Sequence, residues 1–164
     1  MCNPFLNGPK QLNQHWRDLR SQLSRDKSDL EHLDLVVKFW AKAPIVNQFL
    51  DWDHPDTWLD PWELMLSGKF DESSISLGME YTLLLSDDGR WTADRLTPAF
   101  VCLSDRSMQY IVLLVDNKYV LNLRYNTVVE LEKVANEFAI YQFYRYTNKS
   151  HIIVNDNLSQ MIAE

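Results

Sequence analysis

The sequence predicts an α+β fold in which N-terminal helices precede a buried central helix packed on an antiparallel β-meander. Three observations carry this. Amphipathic helical periodicity appears only ahead of Pro44. Residues 71–85 are apolar on every side, which suits a helix at the centre of a domain rather than on its surface. From about residue 97 onward the chain runs in short β-branched and aromatic segments separated by turn residues.

The elements follow in order. Residues 1–9, with Pro4, Gly8 and Pro9, read as an arm pinned by Phe5 and Leu6. Leu12, Trp16, Leu19 and Leu23 repeat at helical spacing and define a first amphipathic helix from Lys10. A second helix begins at Ser28, where Glu31 completes a Ser-x-x-Glu capping box, with Leu30, Leu33, Val37 and Trp40 as its buried stripe. Residues 45–60 form a turn-rich connection dense in Trp and Asp. His54 stands there among Asp51, Asp53 and Asp56, without the frame of a calcium loop and without a second zinc-ligating histidine, so Asp capping in an acidic loop is the expected role. Asp60, Pro61 and Glu63 are the N-cap, first position and capping-box partner of a short helix that Gly68 stops. The central helix follows, with Asp71 and Glu72 at its start and Ile75, Met79, Tyr81, Leu83 and Leu85 within it.

Strands are expected over about 97–103, 108–115 and 118–123, with Asp116-Asn117 as a hairpin turn. The unbroken apolar run from Ile111 to Val115 marks a strand buried on both faces. A short helix over 128–136, strands over 137–146 and 151–154, and a polar tail with a helical turn complete the chain. The division expected is a helical extension, 1–44, and an α+β core, 45–164, in one globular unit.

Bulk properties narrow the function. The chain has 164 residues, 46% apolar, with a net charge of −7 and only 4 glycines. A glycine-rich phosphate loop and a dinucleotide fingerprint are missing. Lys and Arg are scattered, so nucleic acid is not an expected partner. The two cysteines, Cys2 and Cys102, have no CxxC or Cys/His neighbours, which points to no metal, no cofactor and a reduced cytoplasmic setting. No signal peptide and no membrane span are expected.

The segment Trp58-Leu59-Asp60-Pro61-Trp62-Glu63, the turn Gly68-Lys69-Phe70-Asp71-Glu72 and the later strands resemble the bacterial transglutaminase-like cysteine peptidases of the papain-like superfamily. In that family a Gly-Asp-Cys-Glu-Asp turn sets the catalytic Cys at the start of the central helix, a strand carries the His, and the next strand carries an Asp. Matched residue by residue, the resemblance puts Phe70 in place of the Cys, Tyr110 in place of the His and Asn122 in place of the Asp. It therefore implies a scaffold without its triad, since a thiolate, a base and a group that orients the base are all needed. The expected function is a non-catalytic protein-interaction or structural protein with a protein partner and a possible homo-oligomeric state. The binding surface would be the former cleft around Trp58, Trp62, Phe70, Tyr110 and Asn122, or the N-terminal helices. The small acidic chain with its DPWEL segment also resembles bacteriophage-encoded proteins, which implies a virion component or a binder of a host factor. Two other classes stay open: a cysteine peptidase or amidase with a rearranged site, and a small-molecule binding module with an apolar pocket near the tryptophans. For an enzyme, Ser73, Ser74 and Cys102 are the candidate nucleophiles, and the pair Asp71/Glu72 is the candidate for acid–base work in a glycosidase-like site. None of the four histidines, His15, His32, His54 and His151, lies in the expected hairpin.

Overall fold

The computed structural model describes residues 3–47 and 50–154. Four helices, α1 (Gly8–Gln22), α2 (Asp29–Trp40), α3 (Pro61–Ser67) and α4 (Glu72–Leu84), precede all the strands. The strands β1 (Leu96–Leu103), β2 (Gln109–Val115), β3 (Tyr119–Arg124), β4 (Thr127–Glu130), β5 (Phe138–Thr147) and β6 (Ser150–Val154) form one antiparallel sheet in the order β4-β3-β2-β1-β5-β6. The meander of the first four strands is thus extended on the far side of β1 by β5 and β6. A one-turn helix, α5 (Leu131–Val134), leads from β4 toward β5.

The local signals act as their chemistry dictates. Ser28 and Glu31 close a capping box at α2, and Asp60 and Glu63 close another at α3, whose C-cap Gly68 takes φ +64°. Asp116 and Asn117 both adopt positive φ at the β2–β3 hairpin, as a tight turn between twisted strands requires. Ile111, Leu113 and Val115 of β2 enter the core beneath the helices, while Val112 and Leu114 enter a second core on the opposite face with Val101, Phe138 and Phe143. The unbroken apolar run of β2 has this two-sided burial as its cause.

Helix α4 is buried on nearly all sides, Ser73 to Leu83 included, and packs on β2. Its polar side chains hold neighbours in place. Thr82 Oγ1 accepts the indole N–H of Trp16 at 2.9 Å and of Trp40 at 3.0 Å, and donates to the Gly78 carbonyl. A Cβ on Gly78 would lie 2.3 Å from Trp40 Cη2, so α2 and α4 meet there only because position 78 lacks a side chain. The helices of residues 1–44 accordingly share one core with α4 and the sheet.

Three expectations need correction. Leu30 is half-exposed at 49%, because α2 turns Val36 and His32 inward instead. The helix expected over 128–136 begins only at Leu131; Thr127–Glu130 is strand, paired to β3 where the β-branched residues fit a ladder better than a helix. Of the N-terminal arm, Phe5 packs on Phe39, Trp40 and Phe70, but Leu6 is 70% exposed. Cys2 and the tail beyond Val154 lie outside the described residues.

Candidate functional site

The α4 N-terminus opens into a groove of about 420 Å³ lined by residues that include Ile45, Leu50, Trp52, Asp71, Glu72 and Tyr110. A second groove of about 280 Å³ adjoins it across Glu72 and Tyr110, walled by Trp40, Ile75, Met79, Asn122 and Tyr125. Asp71 is the helix N-cap: its carboxylate accepts the Ser74 amide at 2.7 Å. Glu72 is therefore the first helical residue and stands at the mouth. Its carboxyl is raised above the usual range, first because burial strips it of water and second because the Asp71 carboxylate lies beside it.

Tyr110 and Asn122 meet at this mouth. The Tyr110 hydroxyl donates to the Asn122 carbonyl at 3.0 Å, and burial, with Glu72 adding to it, pushes the phenol up to about 12. Asn122 takes φ +71° where the β3–β4 register shifts, and this bend turns its amide toward α4. There Nδ2 donates to the Glu72 carbonyl at 2.7 Å and to Ser76 Oγ at 2.8 Å, while Ser76 Oγ donates to the Ile111 carbonyl. Ser73 Oγ accepts the Ile111 amide at 3.0 Å. Of the two serines that could have supplied a nucleophile, Ser73 thus faces β2 as a docking group, while Ser74 lines a separate groove with Leu59, Leu64 and Lys69.

The other residues expected at the cleft are elsewhere. Phe70 is fully buried, its ring 5.4 Å from Phe5 and 5.3 Å from Trp40, so it precedes the helix mouth instead of forming it. The capping chemistry of Asp71 is the reason: it starts the helix one residue after itself and leaves Phe70 to the core. Trp58 is buried against Tyr144 and His151, with its indole N–H on the Asp51 carbonyl. Trp62 is 54% exposed on α3, edge-on to Trp16. The tryptophans consequently do not converge on one pocket; Trp52 alone of them lines the groove, stacked on Phe100.

Among the described residues no thiol or imidazole lines either groove. Cys102 is buried on β1, with the Gln109 amide 3.9 Å from its sulfur. His32 is a core histidine: Nδ1 accepts the Trp91 indole N–H and Nε2 donates to the Ser24 carbonyl, which fixes the neutral tautomer. His151 pairs with Glu80 at 2.6 Å in the interior, both side chains at or below 1% exposure, under Trp58, Tyr81 and Tyr146. This buried pair was not legible as such, because its members are 71 residues apart in sequence and nothing local marks them as partners. His54 pairs with Asp51 at 2.9 Å, and Asp51 also accepts the Asp53 amide, so the acidic loop is self-capped. Among the described residues no group of three or more His, Cys, Asp or Glu gathers to hold a metal ion, and no helix is long and apolar enough to cross a membrane.

One feature was missed altogether. Lys10, Arg17 and Arg20 recur at seven and three residues along α1, a spacing that puts them on one side of the helix. The expectation of scattered cations holds for the chain as a whole but not for this face.

The arrangement is that of a transglutaminase-like α+β fold. It matches solved structures of Legionella pneumophila LapG. With the calcium-bound form the TM-score is 0.67 at 14% identity, over 90% of this chain and 81% of that one. With the EGTA-treated form it is 0.68 at 14% identity, over 91% and 79%. No family model and no curated protein sequence matches the chain.

Proposed function

We propose that this chain is a non-catalytic protein-interaction protein on a transglutaminase-like scaffold. The observation that supports it is the chemistry of the α4 mouth. The family resemblance puts a thiol at the start of the central helix and an imidazole on the neighbouring strand; the side chains at the mouth here are Glu72 and Tyr110. Tyr110 does not substitute for the base. With its phenol pushed up to about 12, it stays protonated at neutral pH and donates to a backbone carbonyl. Asn122, the third position, fastens α4 to β3. The DPWEL segment adds nothing toward a virion role: Asp60 and Glu63 cap α3 and Leu64 is buried, so the proposal is confined to binding a protein.

The likeness to LapG favours a second reading, a cysteine peptidase or amidase with a rearranged site. It can be tested at Cys102, the cysteine among the described residues. A Cys2→Ser variant leaves Cys102 as the one remaining thiol, and its alkylation by iodoacetamide measures the thiolate directly. Slow labelling at neutral pH, no faster than free cysteine, is expected. Labelling that is fast and stays fast into mildly acidic pH would identify a base-activated thiolate and transfer the assignment to the peptidase.

A further inference from the structure

On an acidic chain, the groove between α1 and α3 stands out by sign. It encloses about 420 Å³ and its lining holds three cations (Lys10, Arg17 and Arg20), the amides of Asn13 and Gln14, the apolar side chains of Trp62 and Leu66, and no carboxylate. Lys10 and Arg17 form no ion pair among the described residues, although each is exposed. Asp18, the residue after Arg17, accepts from the Gln14 amide and is not part of the lining. Arg20 differs from both. Its guanidinium lies 4.2 Å from the Trp16 ring centre and 5.4 Å from that of Trp62, and its buried Nε–H has no acceptor. Burial lowers the Arg20 pKa more than the facing Asp87 raises it, which is the mark of a cation short of counter-charge. Beside it Trp62 and Leu66 expose 54% and 66% of their surfaces.

We infer that this groove is the docking site for an acidic segment of a partner protein, with carboxylates on Arg17, Lys10 and Arg20 and an apolar side chain seated against Trp62 and Leu66. The inference rests on the reading of the chain as a binding protein and moves its working surface away from the α4 mouth. Charge selects the occupant: three cations without lining carboxylates complement an anionic ligand, and the apolar floor excludes one that is anionic only. Arginine held on a tryptophan is also the composition that concentrates binding energy at protein interfaces, because the ring fixes the guanidinium before the partner arrives.

The test is selection from a random-peptide display library on the purified full chain, followed by affinity measurement of the enriched peptides. Enriched sequences should carry at least two carboxylates beside an aromatic or large aliphatic residue. Arg17→Glu and Lys10→Glu, both at exposed positions, should each weaken the best peptide by about tenfold or more, Trp62→Ala comparably, and added salt should weaken it further. Melting temperatures near that of the parent would show that the variants fold. Neutral or basic enriched sequences, no enrichment above background, or binding indifferent to both charge reversals would overturn the inference. Peptides whose binding responds to Tyr110→Ala instead would return the surface to the α4 mouth and leave the binding-protein reading intact. Rapid thiolate labelling of Cys102 would overturn that reading without bearing on the groove.

Discussion

A carboxylate at the first position of a helix gains from the dipole and loses from dehydration, and at Glu72 the two oppose each other. The second prevails, since the carboxyl is raised above the ordinary glutamate range by burial and by Asp71. A carboxyl raised on folding binds its proton more tightly in the native state, so its ionisation opposes folding above that raised value and ceases to matter below the unfolded value of about 4.3. Glu72→Gln is therefore expected to raise the melting temperature at neutral pH, with the difference closing as pH falls to about 4. A lower melting temperature at neutral pH would mean that the dipole term outweighs burial. Groups kept at such a cost tend to sit at working sites, yet among the described residues no thiol or imidazole stands beside Glu72 in either groove.

At the scale of elements, the junction of α4 with β2 and β3 depends on one irregular strand. Asn122 reaches the Glu72 carbonyl and Ser76 only because its φ of +71° bends β3. Asn tolerates that conformation; alanine does not, at a cost of about 1–2 kcal/mol, and losing the amide removes roughly 1 kcal/mol more. Asn122→Ala should thus destabilise by about 2–3 kcal/mol in chemical denaturation, and Asn122→Gly by less, because glycine relieves the backbone part alone. Equal losses in the two variants would assign the whole effect to the amide. The same strand shows what sequence could and could not convey. Capping boxes at Ser28 and Asp60, the Asp116-Asn117 turn and the two-sided β2 are local chemistry, and they were readable residue by residue. The register of the helix mouth was not, because it turns on whether Asp71 caps or continues the helix, and Phe70 chooses the core only once Phe5 and Trp40 are present to receive it. Trp58 and Trp62, four residues apart in one motif, face a buried histidine and an open groove for the same reason: α3 begins between them.

For the molecule as a whole, the helical layer is joined to the sheet by polar contacts as well as by the shared core. Glu80 and His151 join α4 to β6 in the interior. On the surface, Asp29 at the start of α2 accepts from Arg90 at 2.9 Å and Arg95 at 2.8 Å, and Arg95 also grips Asp116 of the β2–β3 hairpin with two hydrogen bonds while lying 4.1 Å over Trp91. Burial alone would raise the Asp29 carboxyl, but Arg95 and Arg90 together hold it below the usual aspartate range. A carboxyl depressed on folding contributes stability above its unfolded value of about 3.9, and that contribution disappears as pH falls through the folded value. Asp29 is 44% exposed, so solvent screens the pairs, and a contribution of about 1 kcal/mol or less is the appropriate scale. The native chain should accordingly exceed Asp29→Asn in stability at neutral pH, lose that margin below about pH 4, and lose part of it at neutral pH when salt is added. Denaturant midpoints of the two proteins at neutral and acidic pH measure this directly. A margin independent of pH would show that Asp29 acts as an uncharged helix-end acceptor, and that the ion pairs do not hold the helices to the sheet.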